Sequence, residues 1–148
     1  MNALVFAYLH HILVFTLWAV LVLEWVLIRQ ELNFGIAKAI RIADAIYGAS
    51  AGAIILIGIF RVMWYEKGAD YYLHSHAFWW KMAIFAVVGI LSIYPTIVFA
   101  RWGKTMRAGG TPVLTTSQLR RLKTILNAEL LFISLIPLFA YAMAHGVF

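Results

Sequence analysis

Four long stretches of this chain are almost wholly apolar, and the polar positions fall mainly where those stretches begin and end. Residues 3–28 carry His10, His11 and Glu24 as their only histidine or charged side chains. A second apolar run covers about 36–65 and opens with Lys38, Arg41 and Asp44; a third covers about 77–101 and a fourth about 115–146. Each run exceeds the roughly 20 residues that an α-helix needs to cross the hydrocarbon core of a bilayer. The pattern predicts a single domain over residues 1–148, an all-α integral membrane bundle of four transmembrane helices. The first run is too long for a signal peptide and begins Met-Asn-Ala without a basic segment, so it is expected to remain as the first helix. Pro95 and Pro137 fall inside the third and fourth helices and predict kinks. Thr115 and Gln118 have the spacing of a capping box at the start of the fourth. The next two turns, with Arg120, Arg121 and Lys123, are expected on the cytoplasmic surface.

Composition agrees. Hydrophobic residues make up 64% of the 148 positions, charged residues 12%, and the mean hydropathy is +0.88. A soluble domain carries about 25% charged residues, so this chain has too little polar surface to face water all round. The absence of cysteine removes disulfides, thiolate-held clusters and cysteine nucleophiles. The net charge of +6 does not indicate a nucleic-acid partner, because the cations sit at the ends of apolar runs. Nine of them (Arg29, Lys38, Arg41, Arg101, Lys104, Arg107, Arg120, Arg121 and Lys123) flank the first and third connections, and three (Arg61, Lys67 and Lys81) lie on the other side. The excess of Lys and Arg on one side predicts a bacterial inner-membrane protein with both termini in the periplasm. An aromatic belt of Trp64, Tyr65, Tyr71, Tyr72, Phe78, Trp79 and Trp80 marks the second connection as an interface.

Ordering the ionisable residues by depth gives two layers. Toward the cytoplasmic side, Glu24, Asp44 and Glu129 come from three helices to one level, with Arg41 one turn from Asp44 and Asn127 beside Glu129. Carboxylates are costly in lipid, so all three are expected to face the bundle interior. The layer serves either as ion pairs with Arg41, Arg101 or Arg121 that fix the packing, or as a proton path or binding site. Toward the periplasmic side lie His10, His11, Arg61, His74, His76, Lys81 and His145. His10 and Glu24 are fourteen residues apart, four helical turns less about 40°, and therefore share a helix face. His11 points elsewhere, and His74-Ser75-His76 reads as loop. Gly48-Ala49-Ser50-Ala51-Gly52 has GxxxG spacing, which suits close helix approach inside the bundle, a homodimer contact, or room for a cofactor.

The segments Ala7-Tyr8-Leu9-His10-His11, Arg61-Val62-Met63-Trp64-Tyr65-Glu66-Lys67-Gly68, Tyr71-Tyr72-Leu73-His74 and Asn127-Ala128-Glu129-Leu130 resemble an uncharacterised bacterial membrane family, a domain of unknown function, over nearly the whole chain. More distantly, the chain is similar to HemJ-type protoporphyrinogen oxidases and to CopD-like membrane proteins. HemJ-type proteins carry an early histidine in the first helix, a histidine followed by a lysine at the start of the next-to-last helix, and an Asn-Glu pair in the last. His10 or His11 matches the first feature and Lys81 the second, with His76 displaced five residues upstream. Asn127 and Glu129 match the third, with one residue between them. This resemblance implies haem b near the periplasmic face, redox or electron-transfer chemistry related to protoporphyrinogen oxidation, and a quinone or porphyrin as partner within the lipid.

The residues themselves offer an axial ligand in His10, an apolar slot beside the small residues of the second helix, and cations for propionates in Arg61 or Lys81. His145, His76 or Lys81 is then the candidate second ligand. Two other readings stay open. Met63, Met82 and Met143 share the depth of the histidines, and such His/Met sets suit copper handling or transport. Alternatively, the polar layers only orient the helices of a non-catalytic assembly protein.

Overall fold

The computed structural model describes residues 2–65 and 68–146; Met1, Glu66, Lys67, Val147 and Phe148 lie outside the described residues, and Lys67 of the basic count above with them. Each long apolar run has become one helix. Helix α1 spans Asn2–Leu27, α2 Phe34–Phe60, α4 His76–Arg107 and α5 Thr116–Ala144, and all four are long and apolar enough to cross a membrane. The chain is a multi-pass membrane protein.

Local chemistry sets the ends. Asn33 opens α2 by accepting the Ile36 amide at 2.9 Å, which satisfies one of the orphan donors of a helix start. The predicted capping box is present on α5: the Gln118 amide donates to Thr115 Oγ1 at 3.2 Å, and the Thr115 amide donates to Gln118 Oε1 at 3.1 Å. Helix α2 ends in a π-helical turn, Arg61–Tyr65. A five-residue helix, α3 (Ala69–Leu73), follows and was not expected from the sequence. Ser75 then caps α4, so His76 is the first helical residue there rather than part of a loop.

Helix α4 continues six residues past the predicted boundary at 101. Trp102, Gly103 and Met106 are buried, so packing carries the helix beyond the apolar span, while Lys104 and Arg107 favour its C-terminal dipole. Its 32 residues rise about 48 Å, more than the hydrocarbon thickness. Gly109, at φ +82°, takes the left-handed conformation just after the C-cap and turns the chain toward α5. Both α4 and α5 run continuously through their prolines; Pro95 is buried, and Pro137 faces outward.

The inward row of α1 is Leu17, Leu21, Glu24 and Ile28, at alternating steps of four and three. Ile40, Ala43, Tyr47 and Ile54 meet it from α2, Ile84, Val88, Phe99 and Trp102 from α4, and Leu122, Leu126 and Ile133 from α5. This spacing gives the interlocking packing of a four-helix bundle. The outward faces carry Leu, Ile, Val and Phe, which cost nothing against lipid tails.

Packing is uneven. Helices α1 and α2 pack along their lengths, as do α4 and α5, whereas α1 touches α5 and α2 touches α4 more sparsely. The molecule is therefore two helical hairpins side by side. Polar contacts bridge the thinner seams. Trp25 Nε1 and Arg29 Nη2 both donate to Asn127 Oδ1, at 2.6 and 2.8 Å, and Trp18 Nε1 reaches Ser134 Oγ at 3.4 Å. On the other seam Thr96 Oγ1 donates to Asp44 Oδ1 at 2.7 Å.

Candidate functional site

An apolar cavity of about 410 Å³ lies on the seam between the hairpins, in the half of the bundle that holds the termini. The α1–α2 hairpin lines it with His10, Val14, Phe15, Leu17, Trp18 and Ile54. The α4–α5 hairpin contributes Lys81, Phe85, Ile133, Ser134, Ile136 and Pro137. Phe15, Trp18 and Pro137 are exposed, so the cavity opens toward lipid between α1 and α5. Its two ionisable side chains are His10 and Lys81, one from each hairpin.

His10 is half-buried, on the same inward face as Glu24, as the fourteen-residue spacing implies. Its ring rests against α2 where Gly58 leaves space: a Cβ there would sit 3.8 Å from His10 Cε1. Lys81 Nζ lies 5.5 Å from the centre of the Phe78 ring. Arg61, half-buried in the π-helical turn, stands at the same end of the bundle.

Three of the remaining four histidines are tied to their own helices. His11 Nδ1 donates to the Ala7 carbonyl at 2.6 Å and is exposed. His145 Nδ1 donates to the Tyr141 carbonyl at 3.0 Å and stacks on the Tyr141 ring at 4.0 Å. His74 Nδ1 donates to the Asp70 carbonyl at 2.8 Å, and His76 is exposed. None of these four lines the cavity. Met63 and Met82 are likewise exposed, and among the described residues no three His, Asp or Glu side chains gather as a metal-ligand set.

The second polar layer sits in the other half. Glu24 and Glu129 are 2% and 1% exposed. Asp44 is only half-buried, turned to the α2–α4 seam and Thr96, so the three carboxylates do not converge equally. The expected arginine partners are engaged elsewhere. Arg121 lies 5.3 Å over the Tyr94 ring, Arg101 is exposed, and the Arg41 guanidinium packs on Gly103, where an added Cβ would meet Arg41 Nη2 at 2.5 Å.

Residues 2–148 match a family of predicted membrane proteins, DUF2214. The chain belongs to that family. No curated protein and no solved structure matches it.

In this family member, several side-chain contacts go beyond those expected from the sequence. Arg29, a topology cation by sequence, also donates to Asn127 Oδ1 and to the Trp25 carbonyl, the latter at 2.6 Å. The signal was present in the Trp25–Arg29 spacing of one turn, which stacks the guanidinium 3.9 Å over the indole. Tyr72, assigned to the interfacial belt, is instead buried, while Trp64, Trp79 and Trp80 face outward as expected. Gly48 and Gly52 face outward too, with open space where a Cβ would stand, so they do not pack helices together inside the bundle.

Proposed function

We propose that the chain is a haem-b-binding inner-membrane protein of redox or electron-transfer type, with both termini in the periplasm. The observation that carries this reading is the meeting of His10 and Lys81, 71 positions apart in the sequence, on one apolar cavity. Haem b needs an axial side chain from a rigid element, an apolar slot and cations near its propionates. His10 on α1 would hold the iron through its imidazole. Lys81 would serve as a second ligand or pair with a propionate, and Arg61 would add positive charge at the same end. When bound, haem supplies a one-electron iron couple. The chain's own part is to hold the ring, exclude water with Val14, Leu17, Phe85 and Ile133, and present the mouth to lipid. That mouth favours a redox partner dissolved in the bilayer, a quinone or a porphyrin. Met63 and Met82 face outward, and half-buried Met143 does not line the cavity, so copper has no comparable support.

The test is the absorption spectrum of the protein purified in detergent from haem-replete cells. A Soret band is expected, lost or strongly reduced in His10→Ala while membrane insertion persists, and retained in His11→Ala. A colourless wild type overturns the reading; equal haem in both variants removes α1 from the ligand set.

A further inference from the structure

Glu24 on α1 and Glu129 on α5 are the most completely buried ionisable groups described, and each is an electrostatic neighbour of Asp44. They also act on one another across the α1–α5 seam. Each has one carboxyl oxygen, Oε1, with no hydrogen-bond partner among the described residues. The Tyr47 hydroxyl reaches the Glu129 carboxyl and leaves that Oε1 unengaged.

Ionised together in so dry a place, the two carboxyls would need positive charge beside them, and the nearby arginines are turned to other groups. Arg29 is held by Asn127 and the Trp25 carbonyl, Arg121 lies over the Tyr94 ring, and the Arg41 guanidinium rests on Gly103 rather than on either carboxyl. Facing the pair are Asp44 and Tyr47 from α2; on α4 Tyr94 lies under Arg121. Among the described residues, the charged group that acts on both carboxyls from a neighbouring helix is acidic, Asp44. Buried polar atoms left unsatisfied in this way call for a ligand.

We infer that Glu24 and Glu129 form a cation-exchange site inside the bundle, whose compensating charge is a small mobile monovalent cation, a proton or an alkali ion, rather than a side chain. The site is separate from the cavity: Leu17 and Leu21 fill the α1 face between Glu24 and His10, and Ile133 stands one turn above Glu129. Asp44, half-buried at the α2–α4 seam and an electrostatic neighbour of both carboxyls, is the more accessible acidic group by which the cation would enter.

A site that binds a cation only in the folded state makes stability depend on that cation's concentration. The test follows thermal unfolding of the detergent-purified full chain, with N-methylglucamine as the background cation. One series raises pH without alkali ions; another adds sodium or potassium at fixed alkaline pH. For a proton, the wild-type Tm falls as pH rises and alkali ions do not restore it. For an alkali ion, sodium or potassium restores it. In either case Glu24→Gln/Glu129→Gln, which keeps shape and removes charge, loses the dependence. Identical responses of wild type and double variant in both series overturn the inference. Should the double variant fail to fold, infrared difference spectra of the wild type serve instead: a carboxyl signal must change with pH or alkali ion, and a silent spectrum overturns the proposal.

Discussion

Asn127 shows how one side chain fastens a membrane bundle. Its Oδ1 takes both the Trp25 indole and the Arg29 guanidinium, at the seam where apolar packing between α1 and α5 is thin. Asn127→Ala removes both bonds and leaves Arg29 with the Trp25 carbonyl and the stacked indole. The expected loss is about 1–2 kcal/mol, the worth of a hydrogen bond to a charged donor near a surface, read as a lower Tm in detergent, with Asn127→Asp retaining most of the stability. Gly103 makes a different point. An alanine Cβ would press on the Arg41 guanidinium, which is the far end of a flexible side chain and can swing aside. Since alanine also gains up to about 1 kcal/mol of helix propensity over glycine, Gly103→Ala should unfold within about 1 kcal/mol of wild type. Gly103→Leu should lose about 1–3 kcal/mol by overpacking against buried Trp102 and Met106. At this scale the sequence foretold that His10 and Glu24 share a face, because helical period alone decides it. It did not foretell which arginine meets which partner, since several stand at equal depth and only packing chooses among them.

At the scale of the helix, what was legible was length and polarity, and what was not was whatever packing alone decides. The four spanning helices follow directly from uninterrupted apolar runs, and the Thr115–Gln118 box from a four-residue motif. Helix α3 escaped because five residues carry no usable period, and the last turns of α4 escaped because Lys104 and Arg107 look like loop residues until Trp102 and Met106 are seen to be buried. The capping box yields a direct prediction. Thr115→Ala removes an acceptor for the Gln118 amide and should cost about 1 kcal/mol. Because the change is local, it should show as faster amide exchange in the first turn of α5, with the rest of that helix unchanged. Uniform acceleration along α5 would mean that the cap governs the whole helix.

For the whole molecule, the unequal division of basic residues is the feature that sets orientation. Arg29, Lys38, Arg101, Lys104 and Arg107 cluster at the end where the α1–α2 and α4–α5 connections lie, opposite the termini. If that end is cytoplasmic, alkaline phosphatase fused to the C-terminus should be active and a green fluorescent protein fused there dark; the opposite result inverts the bundle in the membrane. Architecture of this kind can be read from a sequence because lipid enforces it on every spanning segment. A cavity cannot, because it arises where two surfaces fail to meet, and nothing local in either helix records that failure.

The cavity draws half of its lining from each hairpin, with His10 on one and Lys81 on the other. A guest seated there is therefore mortar between two bricks that otherwise adhere along thin seams. Occupancy and assembly must then obey one reciprocal equilibrium: whatever the guest adds to cohesion of the halves, cohesion adds to retention of the guest. A detergent that loosens the seam should leach the guest out, and a lipid that compresses the bundle sideways should keep it in. The bilayer's lateral pressure is in this sense a third party to every binding event at the site.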